Sequence, residues 1–146
     1  MNILWKISHF LYKKKINIIA MMFQWLNMIL FSNSVFGECE IGKGTRFHHH
    51  ALGCTVHPLA AIGNNNNIFT NVTIGRKWTN GKTGGGLPKI GNNVTIGAGA
   101  VILGDITIGD NSIIGANAVV LKNVPPDSIA VGIPAKIKMR SRLDNC

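Results

Sequence analysis

The stretch Lys89-Ile90-Gly91-Asn92-Asn93-Val94-Thr95-Ile96-Gly97-Ala98-Gly99-Ala100-Val101-Ile102 sets an isoleucine at every sixth residue. The series continues at Ile108, Ile114 and Val120, and runs upstream through Val56, Ile62, Ile68 and Ile74 and through Val35, Ile41 and Phe47. Glycine follows the aliphatic residue directly at Gly42, Gly63, Gly75, Gly91, Gly97, Gly109 and Gly115, and a small or aliphatic residue stands four places after it at Thr45, Val72, Val94, Ala100, Ile106, Ser112 and Ala118. A helix of period 3.6 does not repeat this way, and a β-sandwich alternates with irregular loops. A strand, a corner and a strand at an angle, three sides to a coil, do repeat this way, with each aliphatic residue inward and stacked on its equivalent 18 positions later. Corners such as Gly91-Asn92-Asn93 and Gly109-Asp110-Asn111 carry residues that tolerate tight or left-handed backbone.

Two interruptions, a step of nine between Phe47 and Val56 and one of sixteen between Ile74 and Ile90, read as loops extruded from corners with no residue in the core. The second, Arg76 to Lys89, holds Trp78, Gly81, Gly84, Gly85, Gly86 and Pro88 and reads as an arm reaching beyond its own prism. After Val120, the run Lys122-Asn123-Val124-Pro125-Pro126 is expected to end the coil, and a basic tail from Lys136 to Arg142 follows. The organisation is then a helical segment at 1–34, a repeat domain at 35–124 with the extruded loop 76–89, and a C-terminal tail at 125–146.

A chain of 146 residues holds one core and short appendages. The formal charge of +9 favours anionic partners: nucleic acid, a phospholipid surface or a polyphosphorylated cofactor. Nucleic acid is set aside, because no aromatic interleaving or recognition motif accompanies the lysines. Three cysteines, Cys39, Cys54 and Cys146, show no CxxC spacing and suggest a reducing cytosol. Ile16 to Phe31 is largely apolar and follows Lys13-Lys14-Lys15, yet Gln24 and Asn27 interrupt it and it falls short of the roughly 20 residues that span a bilayer. An amphipathic helix over residues 1–31, packed on the protein or lying on the inner membrane face, is the expectation.

Read together, the hexapeptides, the glycine-rich arm and the ending Val131-Gly132-Ile133-Pro134-Ala135-Lys136 resemble the hexapeptide-repeat acyltransferases, and within them the serine acetyltransferase group, over roughly Val35 to Ile137. The resemblance implies an all-β fold, a left-handed parallel β-helix with a short N-terminal α-helical segment. It also implies a cytoplasmic homotrimer with active sites between neighbouring prisms, acetyl-CoA as co-substrate in the groove along the coils, and a histidine base. Set against that group, His48-His49-His50-Ala51-Leu52-Gly53 puts His50 in the histidine position and His49 in that of its aspartate, whereas related sugar acetyltransferases select His49. A second histidine of the group is replaced by Leu87, and an aspartate expected near Ser34 is absent. These departures direct the expectation to a sugar hydroxyl of a surface polysaccharide as acceptor, with L-serine as the alternative.

Acetyl transfer to a hydroxyl needs a base titrating near working pH, which imidazole supplies, and donors for the tetrahedral oxyanion, for which backbone N–H groups near the arm are candidates. For the diphosphate and pantetheine of coenzyme A the candidates are Gly97, Ala98, Gly99 and Ala116, with the cations Lys122 and Lys136. Each small residue also has a purely structural use at a corner, and three consecutive histidines also suit a solvated corner. A zinc enzyme of the carbonic anhydrase type is the remote alternative, since consecutive imidazoles do not converge on one ion and no metal is expected. A non-catalytic scaffold is the other.

Overall fold

The computed structural model describes residues 3–79, 82–83 and 85–140. Two helices, α1 (Ile3–Lys13) and α2 (Asn17–Phe31), precede β1 (Ser34–Val35), β2 (Glu40–Ile41), β3 (Arg46–Phe47), β4 (Thr55–Val56), β5 (Ala61–Ile62), β6 (Asn67–Ile68) and β7 (Thr73–Gly75). An antiparallel pair, β8 (Trp78–Thr79) with β9 (Lys82–Thr83), forms the arm. The repeat then resumes through β10 (Lys89–Ile90), β11 (Thr95–Ile96), β12 (Val101–Leu103), β13 (Thr107–Ile108), β14 (Ile113–Ile114), β15 (Val119–Val120), β16 (Ser128–Val131) and β17 (Lys136–Met139).

Successive strands fall on successive faces of a three-sided column. The first face is β1-β4-β7-β12-β15, the second β2-β5-β10-β13 and the third β3-β6-β11-β14-β16, all parallel, with β17 antiparallel on the third face's edge. Two-residue strands suffice because each needs only one residue pointing in and one pointing out. In every strand from β4 to β15 outside the arm the inner residue is aliphatic, and Ile68, Ile74, Ile96, Ile102, Ile108 and Ile114 are fully buried. Register stacks Ile62 on Ile90 and Ile108, Ile68 on Ile96 and Ile114, and Val56 on Ile74, Ile102 and Val120. The arm leaves this register untouched, as expected of an insertion at a corner.

The corners do what their residues suggest. Asn65, Asn71, Asn93, Asn111 and Asn117 all take positive φ, between 54° and 59°. Side-chain amides then run up one edge, Asn93 donating to Asn111 (3.3 Å) and Asn111 to Asp127 (3.0 Å).

Three expectations are corrected. Ala51, inside the first insertion, is fully buried, because the loop folds back and tucks its methyl group into the core. The coil does not end after Val120: Val124 bridges Ile108, and β16 lays Ala130 on Ile114. Pro125 and Pro126 are tolerated because they occupy a corner, where no ladder N–H is required, while Val124 N–H still donates to Thr107. The segment from Lys136 is a strand paired with β16 up to Met139, not a tail; its expected continuation to Arg142, and Cys146, lie outside the described residues.

The N-terminal segment is a hairpin of helices turning at Lys15, whose φ is 60°. It closes the lower end of the column. Trp5 is buried with Val35 and Cys39, its Nε1–H donates to the Phe36 carbonyl (3.1 Å), and its ring stacks on His9 at 4.7 Å. Gly37 has no room for a side chain, since a Cβ there would meet Ser8 Oγ at 2.7 Å. No described helix is long and apolar enough to cross a membrane.

Truncating one rung of the column, Ile96→Ala, is expected to lower the unfolding free energy by about 2–5 kcal/mol in denaturant titration, the usual cost of a core cavity. Burial pushes the Cys39 thiol up from 9.0 to about 12, and raises that of Cys54 as well. The unfolded chain therefore releases these protons at lower pH than the folded one, so their contribution to stability is intact below about pH 9 and declines as pH rises from there toward 12. In a Cys146→Ser chain at neutral pH, both thiols are expected to resist a thiol reagent until denaturant is added, with Cys39 thiolate about a thousandfold rarer than in the unfolded state.

Candidate active site

Between β3 and β4 the chain makes a turn that few sequences adopt. His49, His50 and Ala51 all have positive φ, at 48°, 58° and 65°, and Gly53 follows at 67°. Left-handed backbone costs a residue with a Cβ about 1–2 kcal/mol, and neither histidine nor alanine has the asparagine side chain that eases it. The surroundings hold the turn in place. Leu52 N–H donates to His49 O (3.1 Å), Cys54 N–H to Ala51 O (2.9 Å), Gly53 N–H to Ser32 O (3.1 Å), and Asn71 N–H to Leu52 O (2.9 Å). The Asn33 amide donates to the His50 carbonyl at 3.2 Å, while its own oxygen accepts from buried Asn27 at 2.9 Å. Three consecutive left-handed residues set this turn apart from the other corners, where single residues take positive φ.

The three imidazoles differ. His48 is half-buried, lies flat on Phe69 at 4.4 Å and 9°, and its Nε2 sits 3.3 Å from Asn67 Oδ1. His50 is exposed, and its ring tilts over Phe31 at 5.1 Å. His49 is exposed, and among the described residues its ring has no partner. His48 was not among the sequence-based candidates, yet the register contains the signal: Phe47 stacks on Ile68, so one residue further His48 lies over Phe69. Among the described residues no group of three or more histidine, cysteine or acidic side chains is gathered to hold a metal ion.

The turn occupies the edge where the third face meets the first. The same edge carries, in succeeding coils, Thr70-Asn71, Gly97-Ala98-Gly99 and Ala116-Asn117, joined by Gly99 N–H to Thr70 O (2.9 Å) and Asn117 N–H to Ala98 O (2.8 Å). At its top the loop from Gly132 to Ala135 closes on Val119, Val119 N–H donating to Gly132 O and Ala135 N–H to Val119 O, and Lys136 follows. Five of the six cofactor candidates thus share one edge with the histidines. The sixth, Lys122, does not: it lies beyond the other end of β15, on the edge where the arm departs. Gly97 and Gly99 also have a structural use, because a Cβ on either would collide with the next coil, at Ala116 and Asn117 respectively.

The arm leaves the column after β7, on the edge between the first and second faces, with Trp78 exposed and Gly86 packed against the Asp105 carboxylate, which a Cβ there would displace. Leu87 is half-buried where the arm returns, and Pro88 is buried. The arm and the histidine turn bracket the first face from opposite edges, and among the described residues no hydrogen bond joins them. Gly81 and Gly84, part of the expected arm, lie outside the described residues.

Residues 88–122 match the family model described as bacterial transferase hexapeptide (six repeats). The chain is 43% identical over 132 residues to the chloroplastic serine acetyltransferase 1 of Arabidopsis thaliana, a match covering 90% of this chain and 41% of that protein. It is 39% identical to the serine acetyltransferase of Escherichia coli K12, over 91% of this chain and 48% of that one. Among solved structures, soybean serine acetyltransferase apoenzyme superposes with a TM-score of 0.82 at 40% identity, covering 92% of this chain and 55% of that one. The enzyme from Neisseria gonorrhoeae gives 0.83 at 38%, covering 94% and 51%. The chain spans about half the length of the relatives it matches. Its resemblance to the hexapeptide-repeat acyltransferases, and within them to the serine acetyltransferases, is shown by sequence and by structure.

Because Asn33 ties α2's buried Asn27 to the His50 carbonyl, Asn33→Ala is expected to cost about 1–3 kcal/mol of stability and to broaden the His49 and His50 ring signals in NMR spectra, leaving His48 sharp on Phe69.

Proposed function

We propose that this chain transfers an acetyl group from acetyl-CoA to the hydroxyl of a small acceptor, with an imidazole of the strained turn as general base and no covalent enzyme intermediate. The observation that carries the reading is that turn: three left-handed residues are held at the foot of an edge lined by Gly97, Ala98, Gly99 and Ala116. A shallow edge of small residues lets an extended pantetheine approach the backbone, and Lys136 at its top suits a phosphate. The names of the relatives support the same chemistry.

His50 is assigned the base and His49 the alternate, because of these two only His50 has both its carbonyl and its ring held, by Asn33 and Phe31. The imidazole takes the hydroxyl proton as the acceptor oxygen bonds to the thioester carbon. The tetrahedral intermediate then expels the sulfur of coenzyme A, and the imidazolium returns the proton to that thiolate. Such base catalysis supplies about 10²–10⁴-fold. Oxyanion donors are assigned to the backbone of an arm from a neighbouring copy, since within one chain the arm stands on the opposite edge from the histidines. A homotrimer with seams between prisms, acting in the cytoplasm, belongs to this proposal. So does a left-handed coil: the rule that favours right-handed crossovers comes from strand twist, and two-residue strands carry little of it.

L-Serine is favoured as acceptor over the sugar hydroxyl expected from the sequence, because the matched proteins are named serine acetyltransferases. The sugar remains a second reading on one observation: Leu87 and Ser34 stand where the serine enzymes are expected to carry a histidine and an aspartate, which leaves fewer groups to grip a zwitterion. Release of free coenzyme A thiol by purified protein is expected to accelerate with L-serine and to fall about 10²–10⁴-fold in His50→Ala. Acceleration by N-acetylated hexosamines or oligosaccharide fragments instead would establish the sugar reading. Acceleration by none of them, or full activity in a His49→Ala, His50→Ala double variant, would overturn the assignment.

A further inference from the structure

We propose that α2 is a docking helix that lies in the surface of an anionic lipid bilayer. The helix is mounted inside out. Its polar and small residues face the protein: Asn27 is buried on Asn33, Ala20 is buried with its carbonyl accepting from Ser8 Oγ, and Gln24 Oε1 is buried. Its outward stripe is Ile18, Met21, Met22, Trp25, Leu26 and Ile29, at spacings of three and four, each between 42% and 79% exposed. Together with half-buried Phe23 these six line one open apolar hollow, free of any charged or amide side chain. An uninterrupted apolar stripe of this extent on an otherwise folded chain marks a contact surface.

Two features select lipid over a second protein as the occupant. A protein interface combines its apolar centre with hydrogen-bonding groups that fix register. This stripe offers only the indole N–H of Trp25, a group that suits a lipid headgroup, and a hydrocarbon surface requires none. Charge also points to lipid. Residues 1–37 contain Lys6, Lys13, Lys14 and Lys15 and no acidic residue, and the last three form the exposed turn that leads into the stripe. Glu38 and Glu40 share a hollow with Lys13 and Lys15 and offset part of that charge, whereas Lys14 reaches over the exposed ring of Phe10, 5.9 Å from its centroid. A basic turn beside an apolar face that carries tryptophan is the composition of a helix at the headgroup boundary. At 15 residues α2 is too short to cross a bilayer and lies along it. Since Phe31 at its end touches His50, docking would set the histidine turn beside the headgroups.

The test is cosedimentation of the full chain with phosphatidylcholine vesicles, with and without phosphatidylglycerol. The chain is expected to bind the phosphatidylglycerol vesicles and to be released by salt. Met22→Asp should weaken binding about tenfold or more, and replacing Lys13, Lys14 and Lys15 with glutamine should remove the preference for anionic lipid. Circular dichroism and unfolding midpoints establish that the variants fold; the lysine variant touches no core residue and serves if Met22→Asp does not. Failure of the wild type to bind, or equal binding by the folded variants, would overturn the proposal. So would a Met22→Asp chain that dissociates into smaller species in lipid-free buffer while wild-type binding to vesicles is absent, which would make the stripe an interface between copies.

Discussion

The constraint on which the molecule depends is that each inward aliphatic residue must lie on its counterpart in the next coil. A two-residue strand buries almost nothing alone and makes few hydrogen bonds, so a single coil has no reason to form. Stacked coils bury one another's inner residues and pair strand N–H groups with carbonyls of the next coil, as with Thr55 on Val72, Thr73 on Ala100 and Val101 on Ala118. Stability is then a sum over neighbouring coils, and both ends of the column must be closed. The helical hairpin closes the lower end through Trp5, and β16 with β17 closes the upper.

Stacking also dictates where anything else can be placed. A residue inserted in a face would throw every later aliphatic residue out of phase, so excursions are confined to corners, and the chain has two large ones. One leaves the edge between the first and second faces as the arm. The other, at the edge between the third and first, is the histidine turn, and it replaces the usual corner asparagine with His49, His50 and Ala51 in left-handed backbone. The hydrogen bonds from Leu52, Gly53, Cys54 and Asn33 offset that cost, and the next coil adds one from Asn71 N–H to the Leu52 carbonyl. Column and site are therefore one structure: the register that stacks Ile68 on Phe47 also brings Phe69 onto His48.

What could be read from the sequence follows from this. Repetition made the faces legible: Ile90, Ile96 and Ile102 each recur in identical surroundings, and no local propensity was needed to find them. The insertions after Phe47 and Ile74 were legible as breaks in phase. Features that occur once were not. Ala51 looked like loop, and only the positive φ of the turn tucks its methyl into the core. Pro125-Pro126 looked like a stop signal, although a corner needs no N–H and the coil passes through it. The hairpin of helices hides a polarity that inverts the usual rule, with Asn27 inside and Trp25 outside, and no sequence pattern tells which side of an amphipathic helix meets the protein. Of the candidate site, the histidine run and the glycine edge were legible, while the partners that hold them, Asn33, Phe31, Asn67 and Phe69, depend on coil-to-coil register.

The claim that register governs the fold can be tested by removing one coil. Ile90 stacks on Ile108, so deletion of residues 90–107 returns every remaining aliphatic residue to phase, and deletion of residues 90–106 leaves them one place out. The measurement is cooperative thermal unfolding followed by circular dichroism. The full-coil deletion should keep a β-rich spectrum and a cooperative transition at a lower midpoint, and the shorter deletion, though it removes less, should abolish the transition. Equal behaviour of the two chains would contradict in-register stacking as the basis of this structure.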